Sequence, residues 1–222
     1  MTPKDQMRES LTAESAYEAI RQKIVDGEYL PSQRLVETQL AQELGFSRHN
    51  IRVALDRLHS DGLVRLEPHR GATVATLNRE DCLDILVARE TLEGEVARLA
   101  ARSATTEQLL ALQETLEIMR DALTSGDFDR YSSHNITFHK LIYQASGNHT
   151  IPELISLLRL RLVRLQLRTI LIPGRSEQSI AEHEAIYQAI ASRDEAAADT
   201  AAREHMRNLR STVAKAWTLV RL

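Results

Sequence analysis

Two sets of side chains in this chain have the types and the spacing to do chemistry. In the first, Arg48 and Arg52 are four residues apart, with His49 and Asn50 between them and Ser47 just before. On a helix that spacing puts both guanidinium groups on one face, near the N-terminal end. Arg holds guanine O6 and N7 bidentately and Asn does the same for adenine N6 and N7, so the set is equipped to read base edges in a major groove. The second set is Asn135, His139, His183 and His205. Asn135 and His139 share a helical face, and the other two fall on later helices, so a bundle can bring all four to one interior point. Neutral imidazoles suit Zn²⁺, Ni²⁺ or a similar borderline divalent ion, and an incomplete set of protein ligands leaves positions for water or a carboxylate.

Both sets also have plainer explanations. A charged helix face is usually only a solvated face. Buried histidines are often satisfied by hydrogen bonds, or bind an organic anion with no ion present, and three of them on separate helices are weak evidence by spacing alone. His134 and His149 fit no position in the second set and read as surface residues. Arg89 is a candidate partner for the carboxylate of a small ligand, although a salt bridge to Glu93 at i+4 is the ordinary explanation. Arg161, Arg164 and Arg168 share a face and read as solvated or interface arginines.

The elements that must position the arginines make their context more specific. Thr12 to Asp26 reads as a helix, with Thr12 as N-cap, Ala16, Ile20 and Ile24 at helical spacing, and Gly27 as the stop. Pro31 forces a break, and Val36 to Leu44 forms a short second helix closed by Gly45. Ser47 caps a third helix to about Asp61, with Ile51, Ala54, Leu55 and Leu58 as its buried stripe. After Gly62, the β-prone runs Leu63 to Glu67 and Ala72 to Ala75 predict a two-stranded hairpin. Helix, glycine turn, arginine-bearing helix and hairpin make a winged helix-turn-helix, whose second helix enters the major groove. Arg34 before the pair, and His69 and Arg70 at the hairpin tip, then lie where flanking phosphates or a minor groove would be.

Asn78 caps the start of a long run of amphipathic helices, which divides the chain into residues 1–77 and 78–222. Breaks at Ser103 to Thr106, Ser125 to Asp127, Ser146 to Pro152, Pro173 to Ser176 and Ser192 to Asp194 predict six helices in an antiparallel bundle. With 8 Gly and 5 Pro in 222 residues, the fold class is mainly α, with one small β hairpin. The most apolar stretch, Ile151 to Ile172, carries Arg159, Arg161, Arg164 and Arg168; those charges exclude a membrane span and predict a buried or interface helix. Cys82 is the only cysteine and Met1 to Ser15 lacks the apolar core of a signal peptide, so a reducing, cytoplasmic setting is expected. The net charge of -3 gives no global basic signature. Ser47 to Arg70, however, carries five arginines against three acids, and local placement is what sets a phosphate footprint.

The stretch Tyr17 to Ala75, with IVDGEYLPSQRLVETQLAQELGFSRHNIRVALDRLHSDGLVRLEPHRGATVA, resembles the winged helix of the GntR family of bacterial regulators. The resemblance implies that Arg34, Arg48, Arg52 and the wing around Gly71 hold operator DNA. Where the family often has Thr-Pro after Ser-Arg and a Gly after the first Pro, this chain has His49-Asn50 and Ser32, which implies a different operator sequence. RETLEGEVARLAA at Arg89 to Ala101, NITFH at Asn135 to His139, EHEAI at Glu182 to Ile186 and AAREHM at Ala201 to Met206 resemble the FCD ligand-binding domain of the FadR subgroup, in its shorter, VanR-like branch. That resemblance implies a metal at Asn135, His139, His183 and His205. It also implies a homodimeric regulator, most simply a repressor released from operator DNA by a small carboxylate effector.

Two rival functions are weighed against this one. A metal-dependent hydrolase would use the histidine cluster with Glu182 or Glu184, but no HExxH pair, phosphate-binding glycine loop or nucleophile elbow is present. A DNA-binding protein with no effector would show no ligand-induced stabilisation.

Overall fold

The computed structural model describes residues 12–67, 71–162 and 169–220. They fall into two compact units, one within Met1–Leu77 and one within Asn78–Arg221.

The first unit begins where local chemistry starts a helix. The Thr12 hydroxyl accepts from the Ser15 amide at 3.1 Å while Ser15 Oγ accepts from the Thr12 amide at 2.9 Å, a reciprocal box that opens α1 (Ala13–Val25). Strand β1 (Arg34–Leu35) follows, then α2 (Glu37–Leu44), with Val36 as its N-cap, and α3 (Arg48–Ser60). Gly45 sits at φ 75°, and the left-handed turn it makes lets Ser47 start α3 by accepting from the Asn50 amide at 3.1 Å. Ala16, Ile20 and Ile24 of α1 face Ile51, Ala54, Leu55 and Leu58 of α3, and all seven are buried. Each large aliphatic among them contributes roughly 1.5–3 kcal/mol by leaving water.

The predicted hairpin forms as β2 (Val64–Glu67) and β3 (Gly71–Val74), but the sheet has three strands rather than two. Arg34 pairs with Thr73 and Leu35 with Ala72, so β3 is the middle strand in the order β1-β3-β2. Two residues have no detectable period, which is why β1 escapes a pattern-based reading.

In the second unit Asn78 caps α4 (Arg79–Ser103) by accepting from the Asp81 amide at 2.7 Å. Then come α5 (Thr106–Ser125), α6 (Phe128–Ala145), α7 (Thr150–Arg161), α8 (Arg175–Ala191), α9 (Glu195–Lys215) and the short α10 (Trp217–Val220). The most extensive helix pairing among the described residues is α4 against α9, where Gly94 leaves room: a Cβ there would lie 2.6 Å from Asp199 Oδ1. Ala198 and Ala202 are buried on the facing helix, so the alanine-rich run is a close-packing surface. Leu112, Leu116 and Met119 of α5, Tyr131 and Phe138 of α6 and Ile186 and Ile190 of α8 fill the core.

One sequence expectation, the break from Ser146 to Pro152, needs correcting. Helix α7 begins at Thr150, so Pro152 stands inside its first turn, where its missing N–H is no loss. Of the stretch Ile151 to Ile172, expected as a buried or interface helix, residues 163–168 lie outside the described residues; the described helix runs to Arg161, with Ile155 buried and Leu154 and Leu157 exposed. Among the described residues no helix is long and apolar enough to cross a membrane.

Candidate nucleic-acid interface and metal centre

Amphipathicity aims the first site. With the apolar stripe of α3 turned inward, Ser47, Arg48, His49 and Arg52 are exposed and Asn50 is half-buried. Arg34 on β1 is exposed as well, and Arg34, Arg48 and Arg52 line one open groove of about 550 Å³ together with Glu37, Thr38 and Gly71. The β1 strand is what carries Arg34 to this groove. Gly71 has a structural reason of its own: its φ is 86°, and a Cβ would lie 2.9 Å from the Leu35 carbonyl oxygen. His69 and Arg70 lie outside the described residues. Sequence reasoning missed Glu37, whose carboxylate accepts from Arg52 Nε at 3.1 Å and from Nη2 at 2.8 Å. The Arg52 hydrogen bond holds that carboxyl below its usual range.

The second site is assembled by three helices. His139 of α6, His183 of α8 and His205 of α9 are buried, and one ligand atom from each lies within 4.8 Å of the others. The Nε2 atoms of His139 and His183 are 3.3 Å apart. Two bonds of about 2.0–2.1 Å from one ion at a near-tetrahedral angle require roughly that separation. Burial, reinforced by the neighbouring imidazoles, pushes the pKa of both His139 and His183 well below the ordinary range and keeps them neutral, the form that ligates. One turn before His139, Asn135 has a buried Oδ1 with no hydrogen-bond partner, a polar atom left waiting for an acceptor-seeking group. These observations fit a divalent ion.

Sequence reasoning names Glu182 and Glu184 only for a hydrolase and Glu93 only as a partner of Arg89, and reads none of them as support for the histidines. Glu182 Oε2 is 2.7 Å from His205 Nδ1, and the same carboxylate accepts from Arg175 Nη2 at 2.9 Å and from Asn208 Nδ2 at 2.9 Å. Burial works against the charge of Glu182, yet His205 and Arg175 hold its carboxyl below the usual range. This carboxylate fixes the His205 ring so that Nε2 is left for a ligand bond. Glu184, on the other side of His183, instead pairs with Arg120. Behind His139, Glu93 Oε2 lies 3.9 Å from Nδ1 and accepts from Tyr143 Oη at 3.0 Å. Arg89 bonds Glu93, so the sequence's ordinary explanation of that arginine is realised, while its Nε and Nη1 are buried without partners. His134 holds the Arg130 carbonyl and His149 is exposed, so neither joins the cluster. The one signal for Glu182 was its place beside His183, which also marked Glu184.

Comparison with known proteins matches both units of the chain to described families. A family model described as bacterial regulatory proteins, gntR family, matches residues 12–74, and one described as the FCD domain matches residues 84–208. The chain is 28% identical to the uncharacterized HTH-type transcriptional regulator YdhC of Bacillus subtilis (strain 168), over 82% of each protein. It is 25% identical to the HTH-type transcriptional repressor RspR of Escherichia coli (strain K12), over 89% of this chain and 86% of that one. Its fold is similar to that of E. coli McbR/YncC, with a TM-score of 0.75 over 92% of this chain and 98% of that one, at 24% identity. With a helix-turn-helix that presents arginines outward and a helical domain built round buried histidines, the chain belongs to the GntR family of bacterial regulatory proteins, carries an FCD domain, and is a DNA-binding transcriptional regulator.

Proposed function

We propose that the chain is a homodimeric repressor that leaves its operator when a small organic acid binds beside a divalent ion in the helical domain. The observation that carries the DNA reading is that Arg34, Arg48 and Arg52 line one solvent-open groove against the exposed face of α3. In this reading Ser47, Arg48, His49, Asn50 and Arg52 face base edges or the adjoining phosphates. Arg34 and the wing residues His69, Arg70 and Gly71 hold the flanks. Repression is the role named for the similar RspR protein. The target and the single buried Cys82 fit a cytoplasmic setting.

His139, His183, His205 and Asn135 are the ligands of a divalent ion, Zn²⁺ or Ni²⁺ by donor type. The bound ion supplies a Lewis-acidic point for a carboxylate oxygen. Asn135 is neutral where an Asp would add a charge, which lessens repulsion of an anionic effector. Arg89 offers Nε and Nη1 to the same anion, since a buried guanidinium with open donors suits a carboxylate. Exposed Val87 of α4 and Leu154 and Leu157 of α7, two helices that pack together, support an apolar dimer contact.

The test has two arms. Thermal-shift screening of carboxylic acids with and without a chelator identifies the effector class and its metal dependence. Selection of duplexes from a random pool then defines the operator, and the acid must weaken its binding while the operator weakens the acid's by the same factor. An acid that stabilises the chain yet leaves operator affinity unchanged ends the release model.

A further inference from the structure

Glu37 is the first residue of α2, where its charge favours the helix N-terminus, and the N-cap Val36 contributes no side-chain hydrogen bond. Its carboxylate reaches across to α3 and takes Arg52 side-on, through Nε at 3.1 Å and Nη2 at 2.8 Å. The arginine is 62% exposed and the glutamate 24%, so the pair stands at the surface of the groove that Arg34 and Arg48 also line. An ion pair this exposed contributes little to stability. Its effect is on where the guanidinium points.

A guanidinium has five N–H donors in a rigid plane. The side-on contact consumes Nε–H and one hydrogen of Nη2, leaving the outward edge, where Nη1 and Nη2 each present a hydrogen in parallel. That edge matches guanine O6 and N7. An untethered arginine on a helix surface samples many rotamers and can swing to the nearest phosphate, a contact that carries no sequence information. The carboxylate also repels phosphate oxygens.

We propose that Glu37 is a positioning residue for base recognition: it tethers Arg52 so that the free edge of the guanidinium reads guanine instead of gripping the phosphate backbone. This rests on the DNA reading of α3 given above. Glu37 therefore sets discrimination more than affinity. It restrains binding to unrelated DNA, and its removal converts a base-reading arginine into a phosphate-binding one.

The full-length chain is used to select duplexes from a random pool, and fluorescence-anisotropy titrations follow with wild type, Glu37→Gln, Arg52→Ala and the double variant. Duplexes are the selected one, single-base changes within it, and an unrelated one, each at several salt concentrations. Glu37→Gln is expected to lower discrimination about five- to tenfold at one guanine per half-site, the position at which Arg52→Ala loses its preference. On unrelated DNA it binds as tightly as wild type or tighter, with a salt slope steeper by about one. The double variant is no worse than Arg52→Ala alone, and thermal melts show all chains folded. Full discrimination retained by Glu37→Gln, a loss at a different position, or losses that simply add in the double variant would each overturn the proposal. A folded wild-type chain that selects no motif overturns the DNA reading itself, and the inference with it.

Discussion

Arg89 Nη2 donates to Glu93 Oε1 at 2.7 Å, one turn along the same helix, and both side chains are buried. Tyr143 Oη donates to the same carboxylate, so the pair belongs to a network that backs His139. Replacing Arg89 by Leu leaves a buried carboxylate without its counter-charge. The expected loss is about 3–5 kcal/mol in a denaturant melt of the effector-free protein, most of it recovered when Glu93 is also made Leu. A melt of Arg89→Leu that overlays the wild type would show the arginine to be held for a ligand alone.

Glu182 carries the histidine site from behind. His139→Ala or His183→Ala should abolish the bound divalent ion in elemental analysis of the purified chain. Glu182→Gln should retain the site but weaken it about 10–100-fold in a competition with a chromophoric chelator. Equal metal affinity in Glu182→Gln would mean that the 2.7 Å contact to His205 Nδ1 does not orient the ring.

Two backbone positions give opposite predictions for one conformation. Ser32 has φ 63°, a left-handed value that costs a side-chain-bearing residue about 1–2 kcal/mol. Ser32→Gly should therefore raise the melting temperature of the DNA-binding unit. Gly71→Ala should lower the stability of that unit by about 1–3 kcal/mol, because the residue gains both the strain of φ 86° and a contact with the Leu35 carbonyl oxygen. Unchanged melting in both would remove the strain argument.

Burial, with the nearby Asp81 charge adding to it, pushes the Cys82 thiol up to about 11. A raised pKa means less thiolate at any pH below it, so iodoacetamide should label the native chain slowly at pH 8 and rapidly once denaturant unfolds it. Fast labelling of the folded protein, read by mass spectrometry, would contradict the buried position of Cys82.

Much of the architecture was legible before any coordinates, and for local reasons. The stripes Ala16-Ile20-Ile24 and Ile51-Ala54-Leu55-Leu58 announce which faces turn inward, and Thr12, Ser47 and Asn78 announce where helices begin, because caps and periodicity act within a few residues. The opposite face of α3 follows at once, and with it the outward arginines. The gathering of His139, His183 and His205 was only a possibility in the sequence, as helical spacing fixes a residue's face but not which other helix meets it.

What the sequence by itself determined is therefore the set of elements and the side of each that carries chemistry. Tertiary structure alone decided that Arg34 joins the sheet through β1, that Glu37 reaches Arg52, and that Glu182 rather than Glu184 stands behind His205. Those outcomes depend on the rotation of one helix against another. Each step along a helix turns about 100°, so Glu182 and Glu184, two steps apart, point to nearly opposite sides, and only the packed partner determines which of them finds the histidine.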